Sequence, residues 1–290
     1  MVTVGSILSG TFGFVRDNVR AILVWSGLFF LLSLALMTIM RPFYAGQLAA
    51  MQAGTAAPPN FGPLLLMIVL LLVVMTVVWA AVFRAVLFPE QSRLAYLRLG
   101  MDELRLLGCV LVLLIAFYLL LLVSGIVMAI LGAAIMGVGG AAGGVAAVGL
   151  AAVVLSLWLG TRFSLAGPLT ILERKIIIGR SWRMTRGNFW RLLGAYLVII
   201  VLLVVVYGGL SLLRTPSLAT MFQPSSLEAQ QQLVAAQAEA FSFSLKNIVI
   251  AIATSIVGGF ALALHAGVTA VATAQLVDRR GEQHLSEVFE

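Results

Sequence analysis

The stretch PLLLMIVLLLVVMTVVWAAVFR, residues 63–84, decides the fold class of this chain. It carries no charged residue before Arg84, and about 20 apolar residues in a helix cross the ~30 Å hydrocarbon core of a bilayer. Five further stretches have the same character, and the six predicted spans cover residues 21–40, 63–83, 106–134, 145–167, 192–213 and 247–274. The apolar runs are continuous, unlike the alternating residues of β-barrel strands. The sequence therefore predicts an all-α polytopic membrane protein, folded as one membrane domain over residues 1–290.

The composition of the whole chain agrees with this prediction. Hydrophobic residues make up 62% of the chain and charged residues 10%, whereas a soluble globular chain carries about 25% charged residues. Disorder is excluded, because a disordered chain is polar. The chain has one cysteine, Cys109, and two histidines. With no Cys/His cluster, we expect neither a metal site nor a cofactor.

The basic residues are distributed unevenly between the two sides of the predicted membrane. Fifteen of the 18 Lys and Arg residues lie on the side that holds both termini, and three lie on the other side. Because cytoplasmic connections retain Lys and Arg, this split predicts a bacterial inner-membrane protein with both termini in the cytoplasm. It also accounts for the net charge of +7, so we expect no nucleic-acid partner.

Both longer inner connections have the pattern of amphipathic interfacial helices. Residues 89–103 and residues 171–191 mix apolar with charged side chains, and neither segment is long enough to span once its charges are set aside. Such segments lie in the interface with their apolar side toward the lipid. Trp182 and Trp190 fit the aromatic belt at that depth.

The outer connections differ in kind. Residues 57–60 predict a helix-breaking turn, and residues 137–144 form a short glycine-rich connection with the spacing that allows close helix approach. In the last outer connection, Ser225 and Glu228 have capping-box spacing, and Leu227, Val234 and Phe241 recur every seven residues. This pattern predicts a helix on the outer membrane surface; the alternative is a solvated helix with a few apolar residues.

The two inner connections resemble each other. Each follows an inward-running span that ends in an arginine and then a proline, Arg84 with Pro89 and Arg162 with Pro168. Each leads into the next span through a similar phrase, Leu104-Arg-Leu-Leu-Gly108 in the first copy and Trp190-Arg-Leu-Leu-Gly194 in the second. The sequence thus predicts a parallel duplication with a cavity at the interface of the repeats. A chance recurrence of a short phrase is the alternative.

Three residues are candidates for lining that cavity: Arg84, Arg162 and His265. The two arginines hold matching repeat positions at the inner ends of their spans, where they could line a shared vestibule or simply reach the interface. His265 is the only ionisable residue deep in a span, and such a residue is a functional hypothesis by default. The alternative for His265 is a neutral imidazole bonded to a Ser, Thr or Tyr of a neighbouring helix.

Arg180, Arg183 and Arg186 are candidate contacts for lipid phosphates. They are three residues apart and share one helix face at the predicted cytoplasmic interface. Anionic lipids attract such a face by about 1 kcal/mol per basic residue. The alternative is that these arginines only retain the topology, with their aliphatic stems along apolar surface.

The same region carries a resemblance to a known family. Glu173 and the phrase Arg180-Ser-Trp-Arg-Met-Thr-Arg-Gly-Asn-Phe-Trp-Arg-Leu-Leu-Gly194 resemble the membrane domain associated with bacterial glycerophosphoryl diester phosphodiesterases. In these six-span proteins, similar Ser-Trp and Thr-x-Gly-x-x-Trp patterns precede the fifth span. Enzymatic members carry a separate soluble catalytic domain. Because the chain ends at Glu290, soon after the last span, the resemblance implies the membrane module alone, without catalytic residues.

The polar residues suggest no catalytic chemistry. No nucleophile–base pair and no set of metal-binding carboxylates can be recognised, so we predict that the chain is not an enzyme. The leading hypothesis is a non-enzymatic membrane module that interacts with membrane lipids, or that serves as a subunit or assembly partner of another membrane protein or of a homo-oligomer. The alternative is a transporter or channel for a small or lipid-like solute, with a water-accessible cavity touching Arg84, Arg162 and His265. An intramembrane enzyme would need a nucleophile facing His265.

Overall fold

The computed structural model of the chain describes residues 2–55, 60–136, 141–211 and 227–289. Within these residues the elements are α-helices and short 3₁₀ turns, and six helical segments are long and apolar enough to cross a membrane. This confirms the predicted all-α polytopic fold. The α-helices are α1 (Val4–Asp17), α2 (Val19–Gln52), α3 (Gly62–Leu87), α4 (Met101–Met136), α5 (Ala141–Phe163), α6 (Ala166–Glu173), α7 (Ile178–Thr185), α8 (Phe189–Ser211), α9 (Leu227–Ala240) and α10 (Leu245–Phe289).

The six predicted spans fall on α2, α3, α4, α5, α8 and α10. Helix α5 ends at Phe163, within the fourth predicted span, and the chain turns there before α6. Three features predicted for the outer connections lie outside the described residues. They are the turn at residues 57–59, the glycines at 137–140 and the capping residue Ser225.

Helix α10 lies at the centre of the bundle and contacts α1, α2, α3, α6 and α8. Small side chains on α10 permit this, since Ala263, Ala266 and Ala270 are buried against these neighbours. The closest approach is to α2, where a methyl group added at Gly259 would meet the Ser26 side chain and lie 3.2 Å from the Ile22 carbonyl oxygen. Close packing of this kind holds helices together in lipid, where the hydrophobic effect between them is absent.

Helix α2 continues beyond its predicted span, through Pro42 to Gln52. The outer helix predicted after Ser225 is present as α9, and it packs against this extension of α2. The rings of Tyr44 and Phe241 stack with centroids 5.6 Å apart, and Gln231 Nε2 donates to the Met51 carbonyl oxygen at 3.4 Å. Phe241, one of the three residues expected to face lipid, therefore contacts protein, whereas Leu227 is 62% exposed.

The first inner connection is not the amphipathic helix predicted over residues 89–103. It forms two 3₁₀ turns, Pro89–Gln91 and Arg93–Tyr96, and Leu94, Ala95 and Tyr96 have φ values of 51°, 54° and 63°. Its carbonyl oxygens accept from other elements: Trp25 Nε1 donates to Ala95 O and Arg84 Nη1 to Tyr96 O, both at 2.9 Å. An α-helix would occupy these oxygens with its own N–H groups, so tertiary contacts have replaced the helix.

The second inner connection contains two short helices. Arg174, with φ of 53°, ends α6, and an amphipathic helix forms only over α7. That helix buries Ser181, Met184 and Thr185. The Ser181 hydroxyl donates to the Arg162 carbonyl oxygen at 2.8 Å, which fixes α7 against the inner end of α5.

Helix α1 was not predicted. It begins with a capping box between Thr3 and Ser6 and buries Ile7, Thr11 and Phe14, mainly against α10. Ser6 and Gln275 exchange two hydrogen bonds, at 3.2 and 3.1 Å. This contact places α1 and the C-terminal part of α10 at the same end of the bundle.

Candidate functional site

A cavity of about 420 Å³ lies between α3, α4, α5, α6, α8 and α10. It occupies the half of the bundle nearer the inner connections, and α6 contributes to its wall through Gly167. Most of its lining is apolar, as at Phe83, Leu113 and Ile200. The polar or weakly polar side chains in the lining are Trp79, Cys109, Ser156, Thr161, Ser164, Tyr196, His265 and Thr269.

Several of the hydroxyl groups in this wall are already engaged. Ser164 Oγ donates to Thr161 O at 2.8 Å, and Thr269 Oγ1 donates to Ala266 O at 2.7 Å. Trp79 differs from them, because its buried Nε1 has no hydrogen-bond partner among the described residues. The Tyr196 hydroxyl is buried beside Ser164. The cavity therefore combines an apolar wall with a few polar groups that remain available to a bound molecule.

His265 lines this cavity. Its side chain is exposed, although Ala263 and Ala266 on either side of it in α10 are buried, so the imidazole lies on the face of α10 that borders the cavity. Within the described part of the chain it forms no hydrogen bond, and the alternative of an imidazole bonded to Ser, Thr or Tyr is not what the structure has. Cys109 and Ser156 line the same cavity, yet neither is hydrogen-bonded to His265.

Arg84 does not line the cavity, which corrects the prediction for this residue. Its side chain is buried in an ion pair with Glu103, and its Nη1 donates to Tyr96 O at 2.9 Å. The Glu103 carboxylate also accepts from the Gly100 N–H at 2.9 Å. Arg84 is thus satisfied by the protein and joins α3 to the first inner connection.

Arg162 also lies apart from the cavity, and the prediction of a shared vestibule is corrected for it as well. It lines a separate cleft of about 760 Å³ between α5 and α8, together with Arg186, Asn188 and Arg191. Its guanidinium carbon lies 5.7, 5.3 and 5.3 Å from the ring centroids of Trp158, Trp182 and Phe189. Leu157 and Leu193 line both this cleft, here called the arginine cleft, and the cavity.

The three arginines predicted to bind lipid phosphates have different surroundings. Arg180 forms an ion pair with Glu173, so the positive charge of Arg180 is balanced within the protein. Arg183 is exposed and does not line the arginine cleft, whereas Arg186 does. The helix face predicted from their spacing therefore contributes only Arg186 to a concave site.

The sequence analysis missed Glu103, Phe189, Asn188 and Arg191. A signal for two of them was present: in the alignment of the repeated phrases, Glu103 immediately precedes Leu104 and Phe189 immediately precedes Trp190. Each of these residues contacts the arginine that ends the preceding inward span, Glu103 as the ion partner of Arg84 and Phe189 as an aromatic neighbour of Arg162.

In the part of the chain that the structure describes, no three His, Cys, Asp or Glu side chains gather as a metal site would require. Comparisons with family models, with curated proteins and with solved structures found no match to this chain. The resemblance of residues 180–194 to the phosphodiesterase-associated membrane domain therefore stays a prediction.

Proposed function

We propose that this multi-pass membrane protein binds the apolar part of a lipid-like molecule in the cavity between α3, α4, α5, α6, α8 and α10, as a module without enzymatic activity. The observation that carries the proposal is the cavity itself. Its volume of about 420 Å³ falls within the roughly 300–1,000 Å³ of small-molecule sites, which combine apolar walls with a few polar groups.

The lining favours an apolar occupant. Leu113, Phe117 and Ile200 offer no hydrogen bonds to water, and water in a cavity needs two to four polar partners. An empty void would forfeit the dispersion contacts of its walls. A hydrocarbon chain regains these contacts, while Trp79 Nε1 and His265 offer hydrogen bonds to a polar group attached to it.

Transport is less well supported than binding. A transporter or channel would be favoured by a single cavity lined by Arg84, Arg162 and His265. Of these three residues, only His265 lines the cavity. Arg84 is held by Glu103 and Arg162 lies in the arginine cleft. Assembly with another membrane protein stays a second proposal, and purification in mild detergent would test it by the proteins that copurify.

A cavity-filling substitution tests lipid binding directly. Gly160 lines the cavity, and a Cβ atom added there meets no atom within 4 Å. Gly160→Leu should therefore fill the space without displacing neighbours. Gly149→Leu is the matched control, because Gly149 is exposed on the same helix, equally free of neighbours within 4 Å and outside the cavity lining.

The measurement is native mass spectrometry of lipid retained by the full chain after stepwise delipidation in detergent. Wild type and Gly149→Leu should keep about one tightly held amphiphile per chain that Gly160→Leu loses, since the added side chain removes its space. Equal retention by the two leucine variants would overturn the proposal.

We also propose that the protein lies in a bacterial inner membrane with the ends of the chain in the cytoplasm. The excess of basic residues on one side supports this orientation. The contact between Ser6 and Gln275, at one end of the bundle, is consistent with it.

A further inference from the structure

We propose that the arginine cleft binds a phosphate group, carried either by an anionic lipid headgroup or by a soluble phosphate. Its binding groups are Arg162, Arg186 and Arg191, with Asn188 beside them. This site is separate from the cavity of the proposed function and depends on its own contacts.

The hydrogen bonding of Arg162 is incomplete. Its Nε and Nη1 atoms are buried and have no hydrogen-bond partner among the described residues. The rings of Trp158, Trp182 and Phe189 attract the guanidinium charge, but they supply no oxygen to accept its N–H groups. Guanidinium N–H groups that are buried without acceptors in a partly buried side chain are unfavourable until an anion completes their hydrogen bonds.

Arg84 offers a comparison, because it ends the inward-running span before the first of the two similar phrases, as Arg162 does before the second. Arg84 has a carboxylate partner from Glu103 and a carbonyl partner from Tyr96. At the aligned position Arg162 has Phe189 in place of the acid. Among the residues that the structure describes, no carboxylate takes the place at Arg162 that Glu103 has at Arg84, and the cleft is open to an anion from outside.

The side chains that line the cleft carry a net positive charge. Among the described residues that line it, three are arginines and none is acidic. The nearby acid Glu173 is paired with Arg180. Arg191 Nη1 donates to Asn188 Oδ1 at 3.3 Å, which leaves the amide N–H₂ of Asn188 free to donate. The three arginines and the Asn188 amide therefore all offer N–H donors to an anion that enters the cleft.

The shape of the donor set favours phosphate over a carboxylate. A guanidinium presents a planar fork that binds phosphate oxygens in pairs, and several arginines can share the oxygens of one tetrahedral group. The cleft lies at the junction of the inner end of α5 and the start of α8. Trp190, at its rim, is 79% exposed, which is typical of the interfacial depth at which lipid phosphates lie.

The experiment uses the full chain in a maltoside detergent with two probes, inorganic phosphate and phosphatidylglycerol, each titrated while binding is followed by native mass spectrometry and thermal unfolding. Removing a charged hydrogen-bond donor should weaken binding about tenfold or more, and this is expected for Arg162→Gln and Arg186→Gln. Arg183→Gln is the matched control, because Arg183 is exposed on α7 three residues before Arg186 and lies outside the cleft lining.

Phe189→Glu gives an independent test that does not remove an arginine. It places a carboxylate at the position that Glu103 holds opposite Arg84, so it should abolish binding of both probes while the protein stays folded. If Arg162→Gln does not fold, Phe189→Glu and Arg186→Gln still test whether the cleft binds phosphate.

Binding of phosphatidylglycerol alone identifies a lipid headgroup, and competition between inorganic phosphate and phosphatidylglycerol identifies a site for phosphate from either source. The proposal is overturned if neither probe binds, if Phe189→Glu and Arg186→Gln bind as wild type does, or if Arg183→Gln weakens binding as much as Arg186→Gln. Gly160→Leu should leave inorganic phosphate binding unchanged, which separates this site from the cavity.

Discussion

The carboxylate of Glu103 and the guanidinium of Arg84 form a buried ion pair where α3 and α4 meet the first inner connection. Arg84 also donates to Tyr96 O, and Glu103 accepts from the Gly100 N–H. These bonds join two membrane helices through the segment between them. Because both charged groups are buried as a pair, removing one of them leaves the other buried without a partner.

We therefore predict that Glu103→Gln lowers the free energy of unfolding by about 3–5 kcal/mol, the usual cost of breaking a buried pair. Asp102→Asn is the matched control, since its ion pair with Arg105 has side chains 34% and 30% exposed. That substitution should cost less than about 1 kcal/mol. Thermal unfolding of purified protein in detergent measures both changes, and equal losses would contradict the assigned difference in burial.

A second prediction concerns the contact of α10 with α2. A methyl group at Gly259 would meet the Ser26 side chain and approach the Ile22 carbonyl oxygen, a backbone atom that cannot rotate away. Gly259→Ala should therefore destabilise the protein by about 1–3 kcal/mol, as overpacking does.

Its neighbour Gly258 supplies the control. A methyl group there lies 3.8 Å from Phe29 and 3.9 Å from Tyr207, which is ordinary van der Waals contact. Gly258→Ala should be neutral or stabilising by up to about 1 kcal/mol, because alanine favours the helix over glycine. Denaturation of the two variants in parallel measures both changes in the free energy of unfolding. If Gly258→Ala destabilised the protein more than Gly259→Ala, α2 and α10 would not approach as described.

A third prediction tests the orientation in the membrane. In a Cys109→Ser background, Thr55→Cys should react with a membrane-impermeant maleimide in intact spheroplasts, and Ser92→Cys only after permeabilisation. Both positions are exposed. The first follows α2, and the second lies in the arginine-rich inner connection, which the proposed orientation places in the cytoplasm. The reverse labelling pattern would place the termini outside the cytoplasm.

The two similar phrases show how far the sequence could lead toward the site. The similar phrases placed Arg84 and Arg162 at matching inner ends of their spans, and both do lie near the inner connections. Their partners were not predictable from the same pattern. Glu103 is one of several acids near the first phrase, and only the fold selects it over Asp102, which pairs with Arg105 on the surface.

For His265, the sequence identified the residue but not its surroundings. The sequence identified it because an ionisable side chain in a run of apolar residues is unusual. The sequence does not show which face of α10 His265 occupies. That it lines a cavity together with Ala266, while Ala263 packs in the core, followed only from the packing of six helices around that space.

The sequence by itself determined that the chain is helical and crosses a membrane six times, because uncharged apolar runs of this length can satisfy their backbone groups in lipid only as helices. The tertiary structure decided which polar groups meet: Arg84 with Glu103, Arg162 with aromatic rings, and His265 with the cavity. The physical reason is that these spans are apolar on every side, so their composition does not specify how each helix is rotated about its axis. That rotation depends on close packing, such as the contact of Gly259 with α2, and on the few buried hydrogen bonds that join one helix to the next.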